Sequence, residues 1–242
     1  MASFKKIAHR GASGKYPENT RLAFIKAVEA GADMIELDCQ LSRDGHVVVF
    51  HDQRLNRLAK AKGTVSGKTL AELKALDVGG WRKKSFKGER ILTLEEALEC
   101  IDGKADLCLE IKSYDDTPPG IELKILFIVS RYDYLERTVI SSFKCSSLAR
   151  VRELAPDATL GLIVDGQSPG DPLASARALG AKSIHVQKEL ASREFLNRAW
   201  EEGFDVFVWT VNELRDMEEL AGLGVQGLIS DFPEKFARLS NG

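Results

Sequence analysis

Glu36 and Asp38 are separated by one residue and interleaved with the aliphatics Ile35 and Leu37. In a strand, that alternation puts both carboxylates on one face and the aliphatics on the other. Two strand steps separate their α-carbons by roughly 6.6 Å, so both side chains can reach one cation. The run Asp106–Lys112 repeats the pattern. Leu107, Leu109 and Ile111 face one way, and Cys108, Glu110 and Lys112 face the other. A carboxylate and an amine inside a strand end are costly unless paired or bound to an ion. Glu36, Asp38 and Glu110 therefore make a set of three oxygen ligands suited to Mg2+ or Ca2+. Zinc fits less well, because no Cys/His cluster has the required spacing. The competing reading is a metal-free ion-pair network of these acids with Lys112 and Arg10. Three acids against two bases invite a further cation.

Two histidines flank this set. His9-Arg10-Gly11 closes the first β-rich run, and His51-Asp52 closes Val47–Phe50, which follows the hairpin signal Ser42-Arg43-Asp44-Gly45. With reference pKa values near neutrality, they suit a general base and a general acid. Arg10 offers a fork of donors matched to phosphate, and Gly11 permits close backbone approach. Glu18 and Asn19, in the loop before the first helix, are expected to hold His9 or the loop itself. His9, Arg10, Glu36, Asp38, His51, Glu110 and Lys112 together describe phosphoryl chemistry, with cationic groups neutralising phosphate charge. His46 follows the hairpin glycine and is expected to be exposed. His185 is expected in a core or rim role.

These groups need elements to present them. Strands are expected to begin near Phe4, Met34, Asp106, Thr138, Thr159, Lys182, Asp205 and Gln226. Helical patterns lie at Arg21–Ala30, Thr93–Ile101, Gly120–Arg131, Ser146–Leu154, Pro172–Leu179, Ser192–Glu202, Glu213–Leu220 and Glu234–Leu239. Eight βα units predict an α/β TIM (β/α)8 barrel, one domain over residues 1–242, with the histidines and acids at its catalytic, C-terminal face. A doubly wound sheet is the alternative, but no Gly-x-Gly-x-x-Gly follows the first strand. The spacing from Met34 to Asp106 exceeds the others, and the excess reads as an insertion at about 53–92 after the strand 2 hairpin. That segment has its own short helix, Leu70–Leu76. It carries eleven Lys and Arg against three Asp and Glu, a net +8, which leaves −10 for the rest of the chain. It is expected to be a solvated basic surface, part of it covering the site and attracting an anion. Trp81 and Phe86 are expected to pack it onto the barrel or line the mouth. Asp115–Gly120 reads as a polar turn.

A net charge of −2 over 242 residues argues against general nucleic-acid binding, and no stretch approaches a membrane span. The first motif begins by residue 9, leaving no room for a signal peptide. Cys39, Cys100, Cys108 and Cys145 show no CxxC spacing and read as free thiols in a reducing, cytoplasmic setting. Nothing in the sequence fixes an oligomeric state, and a homo-oligomer stays open.

The chain resembles the glycerophosphodiester phosphodiesterase family. The resemblance rests on His9-Arg10-Gly11 with Pro17-Glu18-Asn19-Thr20, and on Glu36-x-Asp38 followed by Asp44-Gly45 and His51-Asp52. Glu110-Ile111-Lys112, Trp209-Thr210-Val211-Asn212 and Ser230-Asp231-Phe232-Pro233 extend it to nearly the whole chain. It implies a barrel with a small inserted subdomain and His9 and His51 as the acid/base pair. It also implies Glu36, Asp38 and Glu110 as ligands of a divalent cation, and Arg10 and Lys112 as phosphate holders. Trp209, at the end of strand 7, would line the substrate mouth, pack in the core, or both. The chain departs from the pattern at Arg57-Leu58-Ala59, where Arg-Thr-Thr is frequent, and at Leu92-Thr93-Leu94, where Pro-Thr-Leu is frequent. Both departures bear on alcohol selectivity rather than on the acids and histidines. The implied activity is release of glycerol 3-phosphate and an alcohol from a small glycerophosphodiester. Cleavage of a lysophospholipid or phosphoinositide, or phosphate-ester binding without catalysis, are the rival expectations.

Overall fold

The computed structural model describes residues 4–114 and 118–239. Met1–Ser3, Ser240–Gly242 and Asp115–Thr117, the first half of the expected polar turn, lie outside the described residues. Apolar alternation becomes β1 Lys5–Ala8, β2 Met34–Leu41, β3 Val47–Val49, β4 Leu92–Thr93 and β5 Asp106–Ile111. It continues as β6 Thr138–Ser142, β7 Thr159–Val164, β8 Ser183–Gln187, β9 Asp205–Trp209 and β10 Gly227–Ser230. The helices are α1 Arg21–Glu29, α2 Asn56–Ala59, α3 Leu70–Lys74, α4 Leu94–Ile101 and α5 Ile121–Arg131, then α6 Cys145–Leu154, α7 Pro172–Ala178, α8 Arg193–Glu201 and α9 Leu214–Leu223. No described helix is long and apolar enough to cross a membrane.

β1, β2 and β5 to β10 run parallel, and pairing of β1 with both β10 and β2 closes them into an eight-stranded barrel. That closure rules out the doubly wound alternative. Leu37, Leu107 and Leu109 turn outwards against the helices and are fully buried, as the alternation requires. Ile7, Met34, Cys108, Phe207 and Ile229 fill the barrel interior. The expected last helix, Glu234–Leu239, is instead a 3-10 turn over Pro233–Arg238. Pro233 starts it, and Phe236 packs against Phe4 with ring centroids 6.0 Å apart.

β2 is long because it does two jobs. Met34–Cys39 pair with β5, while Cys39–Leu41 turn outwards to pair antiparallel with β3. β3 in turn pairs with β4, so the intervening segment leaves and re-enters beside one hairpin. It has its own small core of Phe50, Leu55, Leu58, Val65, Leu73, Val78 and Ile91. Thr69 and Thr93 cap α3 and α4 with reciprocal capping boxes. Trp81 stays within the segment, donating to the Val78 carbonyl at 2.9 Å. Phe86 packs on Tyr16 of the β1–α1 loop at 5.9 Å, and Arg82 bonds the Gly14 carbonyl of that loop.

His185 occupies the barrel interior at 1 % exposure, as expected for a core role. Its ring stacks on Phe207 at 4.9 Å, and Nε2 lies 2.9 Å from Ser183 Oγ. The space comes from Gly161, where a Cβ would stand 2.4 Å from Nε2. Burial pulls the His185 pKa down to about 3. Because the folded value lies below the ordinary 6.5, the stability tied to the neutral ring is full above pH 6.5 and is lost as pH falls towards 3. The loss is roughly 1 kcal/mol per pH unit. His185→Gln is therefore expected to flatten the fall in stability between neutral and acidic pH, as measured by urea unfolding. Gly161→Ala is expected to cost about 1–3 kcal/mol in the same experiment at neutral pH.

Candidate active site

The barrel register brings the three acids together. Asp38 pairs directly with Glu110 across β2 and β5, and Glu36 with Cys108. One oxygen from each of Glu36, Asp38 and Glu110 lies within 4.8 Å of the others, and all three residues are buried. Burial, then Asp38 and Glu110, push the Glu36 carboxyl well above the usual range. Burial also raises Glu110. Burial would raise Asp38 too, but Lys112 and Arg10 outweigh it and hold that carboxyl far below its ordinary value.

Lys112 Nζ lies 2.6 Å from Glu110 Oε1 and 3.0 Å from Asp38 Oδ1, and Arg10 Nε lies 3.4 Å from Asp38 Oδ2. Asn19 donates to Asp38 Oδ2 at 2.7 Å. The ion-pair network thus exists, but it serves Asp38 and Glu110 and stops short of Glu36. The Glu36 carboxylate takes the Arg10 backbone N–H at 2.8 Å and has His9 Nε2 at 4.0 Å. Asp38 Oδ1, fully buried, has the Lys112 ammonium as its ion-pair partner. An all-oxygen donor set of three buried acids, one of them lacking a strong countercharge, fits a hard divalent cation.

The β1–α1 loop is bent to make these contacts. Arg10 and Asn19 have left-handed backbones, φ 55° and 56°, and the Asn19 N–H donates to the Arg10 carbonyl at 3.0 Å. Gly11 brings the loop against α1, where a Cβ would lie 2.7 Å from the Ala23 backbone. Glu18 and Asn19 do not hold His9. Glu18 accepts from Arg10 Nη1 at 2.9 Å and from Arg57, while Asn19 serves Asp38.

His9 is held from the far end of the chain. Its Nδ1 lies 2.6 Å from Asp231 Oδ1, just beyond β10. Asn212 donates to Asp231 Oδ2 at 2.7 Å, and Asp231, despite burial, is held at about 2 chiefly by its hydrogen bond with His9, with Asn212 and Ser13 adding to it. Burial, helped by Arg10, lowers the His9 pKa, so its ring is neutral at neutral pH. An ionised Asp231 requires the proton on Nδ1, which leaves Nε2 a free lone pair. His51 is arranged in the same way. Its Nδ1 lies 2.7 Å from Asp52 Oδ1, and burial of Asp52 is outweighed by His51 and Arg57, which hold that carboxyl below its ordinary value.

His9, Arg10, Glu36, His51, Glu110, Lys112 and Trp209 line one cavity of about 190 Å³, and Asp38 is buried beside it. Trp209 both packs and lines: its indole donates to the His185 carbonyl at 2.9 Å and meets Phe143 edge-on at 5.8 Å. Phe143, His185 and Cys108 complete the wall. His46 lies on the surface. Sequence reasoning named no role for Asp52, Asp231, Asn212 or Arg57. Asp231 had a usable signal, since a closed barrel must put the end of its last strand beside the end of its first.

Residues 9–235 match the profile of the Glycerophosphoryl diester phosphodiesterase family. A glycerophosphodiester phosphodiesterase of Caldanaerobacter subterraneus subsp. tengcongensis is 42 % identical over 234 residues, 96 % of each chain. One from Bacillus subtilis is 32 % identical over 98 % of this chain and 86 % of its own. The structure of an Oleispira antarctica phosphodiesterase in complex with the product sn-glycerol-3-phosphate superposes with a TM-score of 0.89. It is 29 % identical and covers 96 % of this chain and 95 % of that one. With the profile matched from His9 to Lys235 and the barrel shared, the chain belongs to the glycerophosphoryl diester phosphodiesterase family.

Proposed function

We propose that this chain hydrolyses small glycerophosphodiesters to glycerol 3-phosphate and an alcohol, using a divalent cation and two histidines. That it is a glycerophosphodiester phosphodiesterase follows from its family and from relatives such as the 42 % identical enzyme. The product named for the Oleispira enzyme supports glycerol 3-phosphate as the product here. All four cysteines are free, which supports a reducing, cytoplasmic setting.

Glu36, Asp38 and Glu110 would hold the cation, Mg2+ or Ca2+. When bound, it would neutralise charge on the phosphoryl oxygens. Arg10 and Lys112 direct their donors at the non-bridging oxygens of the diester. The observation that carries the mechanism is the matched pair of histidines, each with Nδ1 bound to an acid and Nε2 left over. The half-buried His9, its pKa lowered by desolvation and by Arg10, suits removal of a proton from the nucleophile, which is water or the glycerol 2-hydroxyl. His51, as an imidazolium protonated on both nitrogens, gives its Nε2 proton to the leaving alkoxide as the new P–O bond forms and the old one breaks. Asp231 sets the His9 tautomer and Asp52 orients the His51 ring, as second partners of catalytic histidines do. Trp209 and Phe143 form an apolar wall beside the phosphate for the organic part of the substrate.

Release of glycerol 3-phosphate from a panel of glycerophosphodiesters tests this reading. His9→Ala and His51→Ala are each expected to lower turnover by about 10²–10⁴. Wild-type rates in either would remove the two-histidine mechanism. A chelator is expected to abolish turnover, and Mg2+ or Ca2+ to restore it. Turnover untouched by chelation would refute the cation, and ligand binding with no turnover under any cation would leave a binding barrel. Because the His9 pKa is lowered from 6.5, the basic form persists to lower pH, so the acid limb of kcat/KM is expected below pH 6.5.

A further inference from the structure

We propose that Arg57 is a positioning residue that locks phosphate-binding Arg10 and proton-transferring His51 into one arrangement. The inference rests on the roles proposed above for those two residues. Arg57 lies on α2, outside the barrel, and does not line the catalytic cavity. Its guanidinium makes two forks. Nε and Nη2 donate to Asp52 at 2.6 and 2.8 Å, and Nη1 and Nη2 donate to Glu18 at 2.8 Å each. Glu18 also accepts from Arg10 at 2.9 Å, and Asp52 also binds His51 at 2.7 Å. Arg10, Glu18, Arg57, Asp52 and His51 therefore form a continuous chain of alternating charge across the mouth of the site.

An exposed ion pair contributes little by itself, and the Arg57 side chain is 42 % exposed. Paired forks in a network are the exception, because a planar guanidinium fixes direction as well as distance. Glu18 is only 10 % exposed, so loss of Arg57 would leave a largely buried carboxylate with half its partners. The insertion has the means to hold Arg57 still. Leu55 and Leu58, on either side of it in sequence, are buried in the insertion's own core. Phe86 and Arg82 fasten the same insertion to the same loop that carries Arg10 and Glu18. The exposed Lys60, Lys62, Lys83, Lys84 and Lys87 show that bulk charge alone does not explain the segment's contact with the site.

The test separates the two ends of the chain. The readouts are kcat per folded enzyme, the inhibition constant of inorganic phosphate, and the melting temperature. Asp52→Asn is expected to lower kcat about tenfold or more while moving phosphate inhibition less than about twofold. Glu18→Gln is expected to weaken phosphate inhibition about tenfold. Arg57→Met, which keeps length but loses both forks, is expected to do both. Arg57→Lys is expected to restore either value only in part, because an ammonium cannot form two forks. Wild-type kcat and phosphate inhibition in Arg57→Met or Arg57→Lys, with only the melting temperature lowered, would reduce Arg57 to a structural clasp and overturn the proposal. If Asp52→Asn and Glu18→Gln also leave both values unchanged, the roles of His51 and Arg10 fail first.

Discussion

Three carboxylates meet inside one end of a barrel, and the surrounding structure is organised by that cost. At an effective dielectric of about 20, two like charges about 5 Å apart repel by roughly 3 kcal/mol, and here there are three such pairs. Lys112 answers two of the acids from the same strand as Glu110. Arg10 answers Asp38 with its side chain and Glu36 with its backbone N–H, and the latter requires a left-handed residue at the strand end. Asn19, also left-handed, adds a donor. The loop between β1 and α1 is therefore shaped by the acids, and the arginine proposed to bind phosphate is the same group that neutralises them.

The barrel explains why this cluster stands at the mouth and no deeper. The interior below it is filled by Ile7, Met34, Cys108, Phe207 and Ile229, with His185 held neutral among them. Side chains of a parallel barrel point inwards at every second residue, so β2 presents Met34, Glu36 and Asp38 in ascending order. The first of these seals the interior and the next two face the cavity mouth. β5 does the same with Cys108 and Glu110, in register with its neighbour. A one-residue slip between β2 and β5 would put apolar groups in the site and acids in the helix interface, so outward packing of Leu37, Leu107 and Leu109 enforces the register that assembles the trio.

What the sequence revealed follows from how local each relation is. Glu36, Asp38, Glu110 and Lys112 were legible because strand alternation is a two-residue rule. The eight βα units were legible because each is short and punctuated. Asp231 stands in a legible motif, but its role is not legible there, since its partner His9 lies 222 residues away and is reached only through barrel closure. Glu18 holds its own loop through Arg10, one of the two expected outcomes, while its bonds to Arg57, 39 residues on, are beyond any local rule. The Glu234–Leu239 pattern overstated a helix because the pull of Phe236 towards Phe4 is a tertiary contact.

The two histidines thus depend on different parts of the fold. His9 follows β1 and is fixed by Asp231 after β10, so its orientation comes with closure of the barrel. His51 leaves the barrel on the hairpin of β2 and β3 and is fixed by Asp52, which in turn is fixed by the insertion. The three acids proposed to hold the cation belong wholly to β2 and β5. A barrel alone would supply the acids, one oriented histidine and Lys112. The insertion adds the second histidine's support and fastens the arginine loop to it. An insertion of some forty residues, held by its own small core, is therefore part of the site's framework rather than an appendage to it.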